Sequence, residues 1–248
     1  MIKNEDNIIH YIQSNIKTTS KDVLKSIGDD CAVIKVNPFK SFVITTDTSL
    51  LGPHFTMDYS PYEIGYKCLA TNLSDIAAMG CNPMYMFMAM TIPNLKTSWI
   101  KSFYRGIKEL TDEYDVALIG GDTNKGPLSI SIQVIGVNKH NILYRSGAKL
   151  NDDIYVSGEL GSARAALMIK NNKKYTKEFR SLKNFLHKPI PRISLGMDIS
   201  KFATSCIDVS DGIAKDIKNI TNESHCGANI FLDKVPFNKM IKNIISTK

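Results

Sequence analysis

The chain has 248 residues with a formal net charge of +7, and 43% of its residues are hydrophobic and 22% charged. This length suits one large domain or two smaller ones, and the composition is typical of a globular protein. The lysines are scattered singly or in short groups and do not alternate with aromatic residues, so the charge does not indicate a nucleic-acid interface. It indicates a solvated lysine-rich surface that would also attract an anionic substrate.

No segment of the sequence predicts export or membrane insertion. The first 16 residues mix acids, amides and a histidine, instead of forming a basic and then apolar leader. The longest apolar run, residues 84–92, is far shorter than the ~20 residues that cross a bilayer. The five cysteines include no C-x-x-C pair, which favours reduced thiols. We therefore expect a cytoplasmic protein without a membrane or nucleic-acid partner.

In the first half of the chain, the predicted elements mix helices and strands. The clearest helix start is a capping box, in which Ser60 precedes Pro61 and Glu63 completes the Ser-x-x-Glu pattern. It predicts a helix that ends at Met79. The other elements follow from hydrophobic periodicity and turn residues. They are helices at 6–16 and 97–114, strands at 32–36, 41–46, 84–91, 116–119 and 128–137, and a turn at Asn37-Pro38.

A polar loop at residues 138–141 is the predicted boundary between two domains, 1–137 and 138–248. Beyond it the sequence predicts an α/β pattern. Its elements are strands at 153–157, 206–209 and 228–232, helices at 162–171, 191–202 and 211–223, and a surface loop at 171–177.

Aspartates recur in four short segments that each follow an apolar run and contain glycine or hydroxyl residues. The segments are Ser26-Ile27-Gly28-Asp29-Asp30, Thr45-Thr46-Asp47-Thr48, Gly120-Gly121-Asp122-Thr123 and Ile207-Asp208-Val209-Ser210-Asp211-Gly212. Each segment alone is typical of a turn or a helix cap, but turn formation does not require the same grouping four times. Carboxylates and hydroxyls form an all-oxygen set, which suits Mg²⁺, and glycines allow backbone amides to approach a phosphate.

Asp75 differs from these residues because it lies inside the helical pattern, after Ser74. A buried acid at this position needs a partner, and a cation is a natural one. The alternative is a solvent-facing acid on an amphipathic helix.

These segments, taken with several others in the same order, resemble the thiamine-monophosphate kinase family. That family belongs to a superfamily that includes aminoimidazole ribonucleotide synthetase and selenophosphate synthetase, and the resemblance runs to about residue 236. Besides the four segments, the matching strings are Gly52-Pro53-His54-Phe55, Asn72-Leu73-Ser74-Asp75-Ile76-Ala77-Ala78-Met79-Gly80, Asn124-Lys125-Gly126-Pro127-Leu128-Ser129 and Arg145-Ser146-Gly147-Ala148-Lys149.

The resemblance implies direct transfer of the γ-phosphoryl group of ATP to thiamine monophosphate, with several Mg²⁺ ions between the two phosphate groups. A substrate contact is implied at His54, for which a histidine packed beside Phe55 is the alternative. Neither a covalent nucleophile nor a general base is expected, because the acceptor is already ionised and transfer depends on positioning and charge neutralisation. The implied metal ligands are Asp30, Thr45, Thr46, Asp47, Asp75, Asp122, Asp208 and Asp211. The implied ATP contacts are Tyr104, Gly121, Asp122, Arg145 and Ser210.

The fold implied by the resemblance has two domains. An N-terminal mixed α+β domain forms a homodimer through its sheet, with ATP near the interface, and an incomplete α/β domain follows. Related kinases continue into a Gly-Gly-Glu-Asp-Tyr-Glu motif and a late aromatic substrate contact, whereas this sequence stops at Lys248. We therefore expect the C-terminal part to be truncated, with ATP and Mg²⁺ still bound and thiamine monophosphate bound poorly. Smaller departures are Ser26 in place of glycine and Leu51 in place of an acid.

Two other functions remain open from the sequence. One is a sister enzyme of the aminoimidazole ribonucleotide synthetase type, which would use ATP on a different substrate. The other is a non-catalytic ATP-binding relative.

Overall fold

The computed structural model describes residues 21–25, 29–37, 40–94 and 96–245. The predicted helix at 6–16, the departure at Ser26, the tight turn at Gly28 and Pro38 of the predicted turn lie outside these residues. In chain order the elements are β1 (Val23–Lys25), β2 (Ala32–Asn37), β3 (Lys40–Leu50), α1 (Pro61–Ala78), β4 (Asn82–Ile92), α2 (Thr97–Tyr114), β5 (Ala117–Lys125), β6 (Ser129–Val137), α3 (Ser162–Ile169), α4 (Thr176–His187), α5 (Ile193–Ile199), α6 (Ile213–Glu223) and α7 (Lys239–Ile245), with short 3-10 turns at Lys173–Tyr175 and Leu232–Lys234.

Six strands form one sheet in the order β1-β2-β3-β6-β4-β5. Strands β4 and β5 are parallel, as expected for strands joined by a crossover helix, and the other neighbours are antiparallel. Helices α1 and α2 cover one face of the sheet, and the main core lies between them and that face. The mixed α+β fold expected from the sequence is confirmed for this part of the chain.

Helix α1 begins with the predicted capping box. The Ser60 hydroxyl accepts from the Glu63 amide, and the Glu63 carboxylate accepts from the Ser60 amide. The helix then crosses α2 closely, because two glycines remove side chains from the contact. A Cβ on Gly65 would lie 2.2 Å from the carbonyl oxygen of Phe103, and one on Gly106 would lie 2.0 Å from that of Tyr62.

Two of the acidic segments lie within strands, so the prediction that the strands end there is wrong. Strand β3 continues past Asp47 because β6 pairs with it from Phe42 to Leu50. Strand β5 continues through the Gly120-Gly121-Asp122 segment because β4 pairs with it. Gly121 has a packing reason to be glycine there, since a Cβ would lie 2.0 Å from the carbonyl oxygen of Met88.

The strands predicted at 153–157, 206–209 and 228–232 are wrong, because within the described residues after Val137 only isolated pairing at Leu160 and Phe237 occurs. A β-strand needs a neighbouring strand for its backbone hydrogen bonds, and the described part of the chain provides none there. The segment 171–177 is also not a plain loop, since it leads into α4. Helices α3, α4 and α7 form a smaller second core. The division at residue 137 coincides with the end of β6 and stays a prediction.

The face of the sheet opposite α1 and α2 has no covering element among the described residues. Its apolar side chains are partly exposed, with Tyr85 and Phe87 each at 37% and Leu50 at 40%. Polar residues on the same face bond across strands, as in the 2.7 Å contact between the Thr48 and Ser131 hydroxyls. In the described part of the chain, no helix is both long and apolar enough to cross a membrane.

Candidate active site

A cavity of about 690 Å³ opens where β2 stops pairing with β3. The ladder between these strands ends at the pair Ala32 and Ile44, so β3 from Thr45 onward has only β6 as a neighbour. The cavity occupies the space left beside this edge, next to α1. Its lining consists of residues 29–32, 44–47, 70, 71, 74, 75, 145, 189–191 and 208–210.

Three carboxylates converge inside this cavity. Asp30 precedes β2, Asp75 lies in α1 and Asp208 lies in the segment before α6, and their carboxylate oxygens lie within 4.8 Å of one another. Three negative charges at this distance repel one another, and burial removes the water that would screen them. Burial, followed by the charge of Asp208, raises the pKa of Asp75 to about 9. Burial also raises the pKa of Asp208.

Hydrogen bonds hold each of the three carboxylates in place. The Thr45 hydroxyl donates to Oδ2 of Asp75 at 2.5 Å, and the Ser74 hydroxyl donates to Oδ2 of Asp208 at 2.9 Å. Nη2 of Arg145 donates to Oδ1 of Asp30 at 2.5 Å. The Asp30 side chain is only 2% exposed, and burial raises its pKa although Arg145 opposes the shift.

The donor set fits a hard divalent cation. Within the described residues, Oδ2 of Asp30 is buried without a hydrogen-bond partner. A buried, unpaired carboxylate oxygen beside two more carboxylates is costly unless a cation neutralises it. Carboxylate and hydroxyl oxygens are the ligands that Mg²⁺ takes in proteins. The three acids thus form a candidate magnesium site without any soft ligand.

Asp47 lies at the open edge of β3 and is oriented by a residue that the sequence did not single out. Its amide donates to Oδ1 of Asn72 at 3.2 Å, and Nδ2 of Asn72 donates to the carbonyl oxygen of Cys68 at 2.9 Å. Asn72 is 1% exposed. Asn72 follows Leu69 by three residues and Cys68 by four, which puts it on the apolar face of α1, and an amide on that face is the signal that could have identified it. Burial raises the pKa of Asp47.

Three consecutive apolar residues contribute a wall to the cavity. It consists of Pro189, Ile190 and Pro191, and it was not predicted as part of the site. The wall is anchored at both ends. Nζ of Lys188 donates to the Tyr62 hydroxyl at 2.8 Å and to Glu109 at 3.0 Å, and the Tyr114 hydroxyl donates to the carbonyl oxygen of Pro191 at 3.2 Å. This side can therefore take an uncharged ring of a ligand.

Eight of the predicted site residues line the cavity and five do not. Those in the cavity are Asp30, Thr45, Thr46, Asp47, Asp75, Arg145, Asp208 and Ser210. Those outside its lining are His54, Tyr104, Gly121, Asp122 and Asp211. Three further lining residues that carry side-chain oxygens, Asp29, Thr71 and Ser74, were not predicted as site residues.

The five residues outside the lining have different surroundings. His54 lies in the turn after β3, Asp211 follows the cavity segment and pairs with Lys215 at 2.7 Å, and Tyr104 packs edge-on against Phe103 in α2. Gly121 and Asp122 belong to β5 at the far edge of the sheet.

Asp122 is too far from Asp47 for both to bind one ion within a single chain. Asp47 aligns with Ile132, then Met88, then Gly121 across the sheet. Three strand spacings of ~4.8 Å give about 14 Å between the two backbones. Two ligands of one Mg²⁺ have oxygens at most about 4.2 Å apart.

The comparisons with known proteins give first a class and then a family. A family model described as AIR synthase related protein, N-terminal domain, matches residues 28–138. The thiamine-monophosphate kinase of Buchnera aphidicola subsp. Acyrthosiphon pisum (strain APS) is 42% identical over 241 residues, and the match covers 94% of this chain and 73% of that protein. The chain belongs to the thiamine-monophosphate kinase family, as the sequence motifs predicted.

Solved structures agree with this assignment. The thiamine-monophosphate kinase of Stenotrophomonas maltophilia K279a aligns with a TM-score of 0.80 at 35% identity, covering 96% of this chain and 77% of that one. AaThiL in complex with AMPPCP and TMP aligns with a TM-score of 0.88 at 29% identity, covering 98% and 77%.

Proposed function

We propose that this chain is an ATP-dependent kinase that phosphorylates thiamine monophosphate to thiamine diphosphate. The observation that carries the proposal is the convergence of Asp30, Asp75 and Asp208 in one cavity. The 42% identity to a thiamine-monophosphate kinase and the likeness to a relative in complex with AMPPCP and TMP support the same activity.

The chemistry needs two anionic phosphate groups to approach each other. Mg²⁺, when bound, would neutralise phosphate charge and hold the oxygens of both groups for in-line transfer. Asp30, Asp75 and Asp208 would hold it, and Thr45, Thr46 and Asp47 lie in the same cavity to complete a set of several ions. Asp211, next to the cavity segment, is a further candidate ligand.

The other cavity residues position the nucleotide. Arg145 lines the cavity with a partly buried guanidinium that Asp30 holds in place, and it is the candidate contact for a phosphate oxygen. Ser210 lines the cavity beside Asp208. No side chain has to act as a covalent nucleophile, because the acceptor phosphate is itself the nucleophile. His54 would contact that acceptor from the turn beside Asp47.

The active form is proposed to be a homodimer that joins through the uncovered face of the sheet. This face carries the partly exposed Tyr85, Phe87 and Leu50, which a second copy would bury. Within one chain Asp47 and Asp122 are about 14 Å apart, estimated from three strand spacings. In a dimer, the Asp122 of a second copy could approach Asp47 instead. Asp122 of one chain, with Gly121, would then serve the cavity of the other, whereas Tyr104 lies on α2 at the covered face and stays a separate candidate ATP contact.

The alternatives from the sequence have weaker support. A sister enzyme of the aminoimidazole ribonucleotide synthetase type shares the matched domain, but the identity to a thiamine-monophosphate kinase extends over 94% of the chain. A non-catalytic relative would have no need to keep three mutually repelling acids in a cavity. The five free cysteines support the proposed cytoplasmic location.

The direct test is to mix the purified chain with ATP, Mg²⁺ and thiamine monophosphate and to quantify the products. The proposal requires thiamine diphosphate and ADP in a one-to-one ratio, with no labelled protein after incubation with γ-labelled ATP. Asp75→Asn is the matched inactive control. ADP formation without thiamine diphosphate, or a stable phosphoenzyme, would contradict the proposed function.

A further inference from the structure

Lys67 of α1, a half-buried lysine, contacts the turn that carries His54. Its Nζ donates to the carbonyl oxygen of His54 at 3.0 Å and lies 3.4 Å from the hydroxyl of Tyr59 and 5.2 Å from the centre of that ring. Among the described residues, Lys67 forms no ion pair within 4.0 Å, whereas nearby Lys170 has Asp58 at 3.6 Å. Burial lowers the pKa of Lys67, and the charge of Lys170 lowers it further.

A half-buried ammonium group without a carboxylate partner among the described residues has lost part of its hydration, so the oxygens that it contacts are the groups that hold it in place. The role that these contacts indicate is control of the turn. The peptide carbonyl of His54 is held by Lys67, and the amide of His54 donates to the carbonyl oxygen of Leu50 at 3.2 Å. Phe55, the next residue, is 2% exposed and fixes the end of the turn in the core.

The same turn fixes the imidazole of His54. Nδ1 of His54 accepts from the Leu50 amide at 3.0 Å. When Nδ1 is an acceptor, the neutral ring carries its hydrogen on Nε2, which leaves Nε2 as the donor for a ligand. Any shift of the turn would therefore change the direction of that donor.

Lys67 also lies on the face of α1 that reaches the cavity. Thr71 and Asp75 follow at intervals of four residues, so the three side chains share one helix face, and Thr71 and Asp75 line the cavity. The helix thereby connects the His54 turn to the carboxylates.

We propose that Lys67 is a positioning residue for the phosphate acceptor: by bonding the carbonyl oxygen of His54, it fixes the turn and directs the imidazole Nε2–H toward the acceptor. This role rests on the proposed function, because it assigns the acceptor site to the His54 turn. It separates acceptor binding from nucleotide binding, which depends on the cavity residues.

The test compares Lys67→Met with Lys170→Met. Lys170 is a matched control, since it bonds the neighbouring Thr56 hydroxyl at 2.8 Å but not the His54 carbonyl. Lys67→Met should raise the KM for thiamine monophosphate about tenfold, the loss expected for one hydrogen bond from a charged donor, with the KM for ATP unchanged. Lys170→Met should keep both values within about twofold, and Lys67→Arg, which keeps charge and donor, should recover most of the acceptor affinity.

A second readout does not depend on turnover. In a ¹⁵N correlation spectrum, the Leu50 amide should shift in Lys67→Met and stay in place in Lys170→Met, because that amide reports the bond to Nδ1 of His54. If Lys67→Met is poorly folded, the same comparison is made with Lys67→Gln.

The outcomes separate the two hypotheses. A wild-type chain that does not phosphorylate thiamine monophosphate overturns the proposed function and this role together. An active wild type whose acceptor KM is unchanged in Lys67→Met overturns the role alone. An equal rise in Lys170→Met would assign the effect to local positive charge and would also overturn the role of the bond.

Discussion

The hydroxyl of Thr45 donates a 2.5 Å hydrogen bond to Oδ2 of Asp75, joining strand β3 to helix α1 inside the carboxylate cavity. The bond fixes one oxygen of Asp75, whose carboxylate lies beside those of Asp30 and Asp208. Two elements that are distant in sequence thus orient one metal-binding carboxylate of the candidate site. The first predictions concern the charge that collects around this bond.

We expect the metal-free protein to lose stability as the pH rises from about 4 to about 9. The pKa of Asp75 is raised to about 9, so the folded state holds a proton that the unfolded state releases near pH 4. Mg²⁺ competes with that proton, and its stabilising effect should therefore grow with pH. Melting temperatures in EDTA and in Mg²⁺ at pH 6 and pH 8.5 measure this. An equal Mg²⁺-dependent shift at both pH values would contradict the prediction.

Asp47→Asn and Asp122→Asn should each lower kcat by at least ~100-fold, since loss of one charge-stabilising group costs about 2.7–4 kcal/mol of transition-state stabilisation. Both variants should remain folded, because Asp122 is exposed on β5 and Asp47 lies at a strand edge. Steady-state rates at saturating Mg²⁺, with circular dichroism as the folding control, check this. A variant with near-normal turnover would remove its aspartate from the site.

Mixing the two inactive variants tests whether Asp122 acts across the dimer. After subunit exchange, about half of the dimers are mixed and one of their two sites is intact, so about a quarter of wild-type activity should return. Asp47→Asn mixed with Asp75→Asn is the control and should stay inactive, because both residues belong to the same cavity. No recovery in the first mixture would place Asp122 in the site of its own chain or outside any site.

Asn72→Ala should destabilise the fold by about 1–3 kcal/mol, because it leaves the Asp47 amide without its side-chain partner and removes a buried amide. It should also lower activity, because the Asp47 amide loses the bond that orients this residue. Asn138→Ala is the control, since Asn138 caps the Ser41 amide at the other end of β3 at 2.8 Å and should affect stability only. Urea denaturation and kcat measured on both variants distinguish the effects. Full activity in Asn72→Ala would refute the positioning of Asp47.

Gly65→Ala should destabilise the protein by about 1–3 kcal/mol or more, because the added Cβ meets the Phe103 carbonyl at the crossing of α1 and α2. Gly227→Ala, where nothing lies within 4 Å of the added Cβ, is the control and should stay within about 0.5 kcal/mol. Comparable thermal stability of the two variants would mean that the helices can move apart at this crossing.

The sequence predicted the first half of the fold well because its signals are local. The capping box at Ser60 and the alternation in β6 each depend on neighbouring residues, and both elements appear as expected. The ends of β3 and β5 were missed because pairing with strands distant in sequence prolongs them. The glycines and threonines at these positions do not indicate that pairing. The strand at 206–209 failed for the opposite reason, since an apolar run without a paired neighbour does not form a strand.

The candidate site was predicted by residue type more accurately than by geometry. Asp30, Asp75 and Asp208 were all identified, although their approach within 4.8 Å depends on the packing of three separate elements. The apolar wall at Pro189 was missed because nothing in its own sequence indicates a ligand. Asp122 shares the acidic pattern, yet its distance from Asp47 follows only from the strand order.

Helix α1 is uninterrupted and sets the distance between the His54 turn and the carboxylate cluster. Lys67 and Asp75 are eight residues apart, which fixes their axial separation at about 12 Å. One residue inserted between them would rotate everything beyond it by about 100° and turn either the lysine or the acid away. An insertion in a loop around the cavity would leave this spacing unchanged, whereas one inside the helix would separate the His54 turn from the carboxylates in both distance and direction.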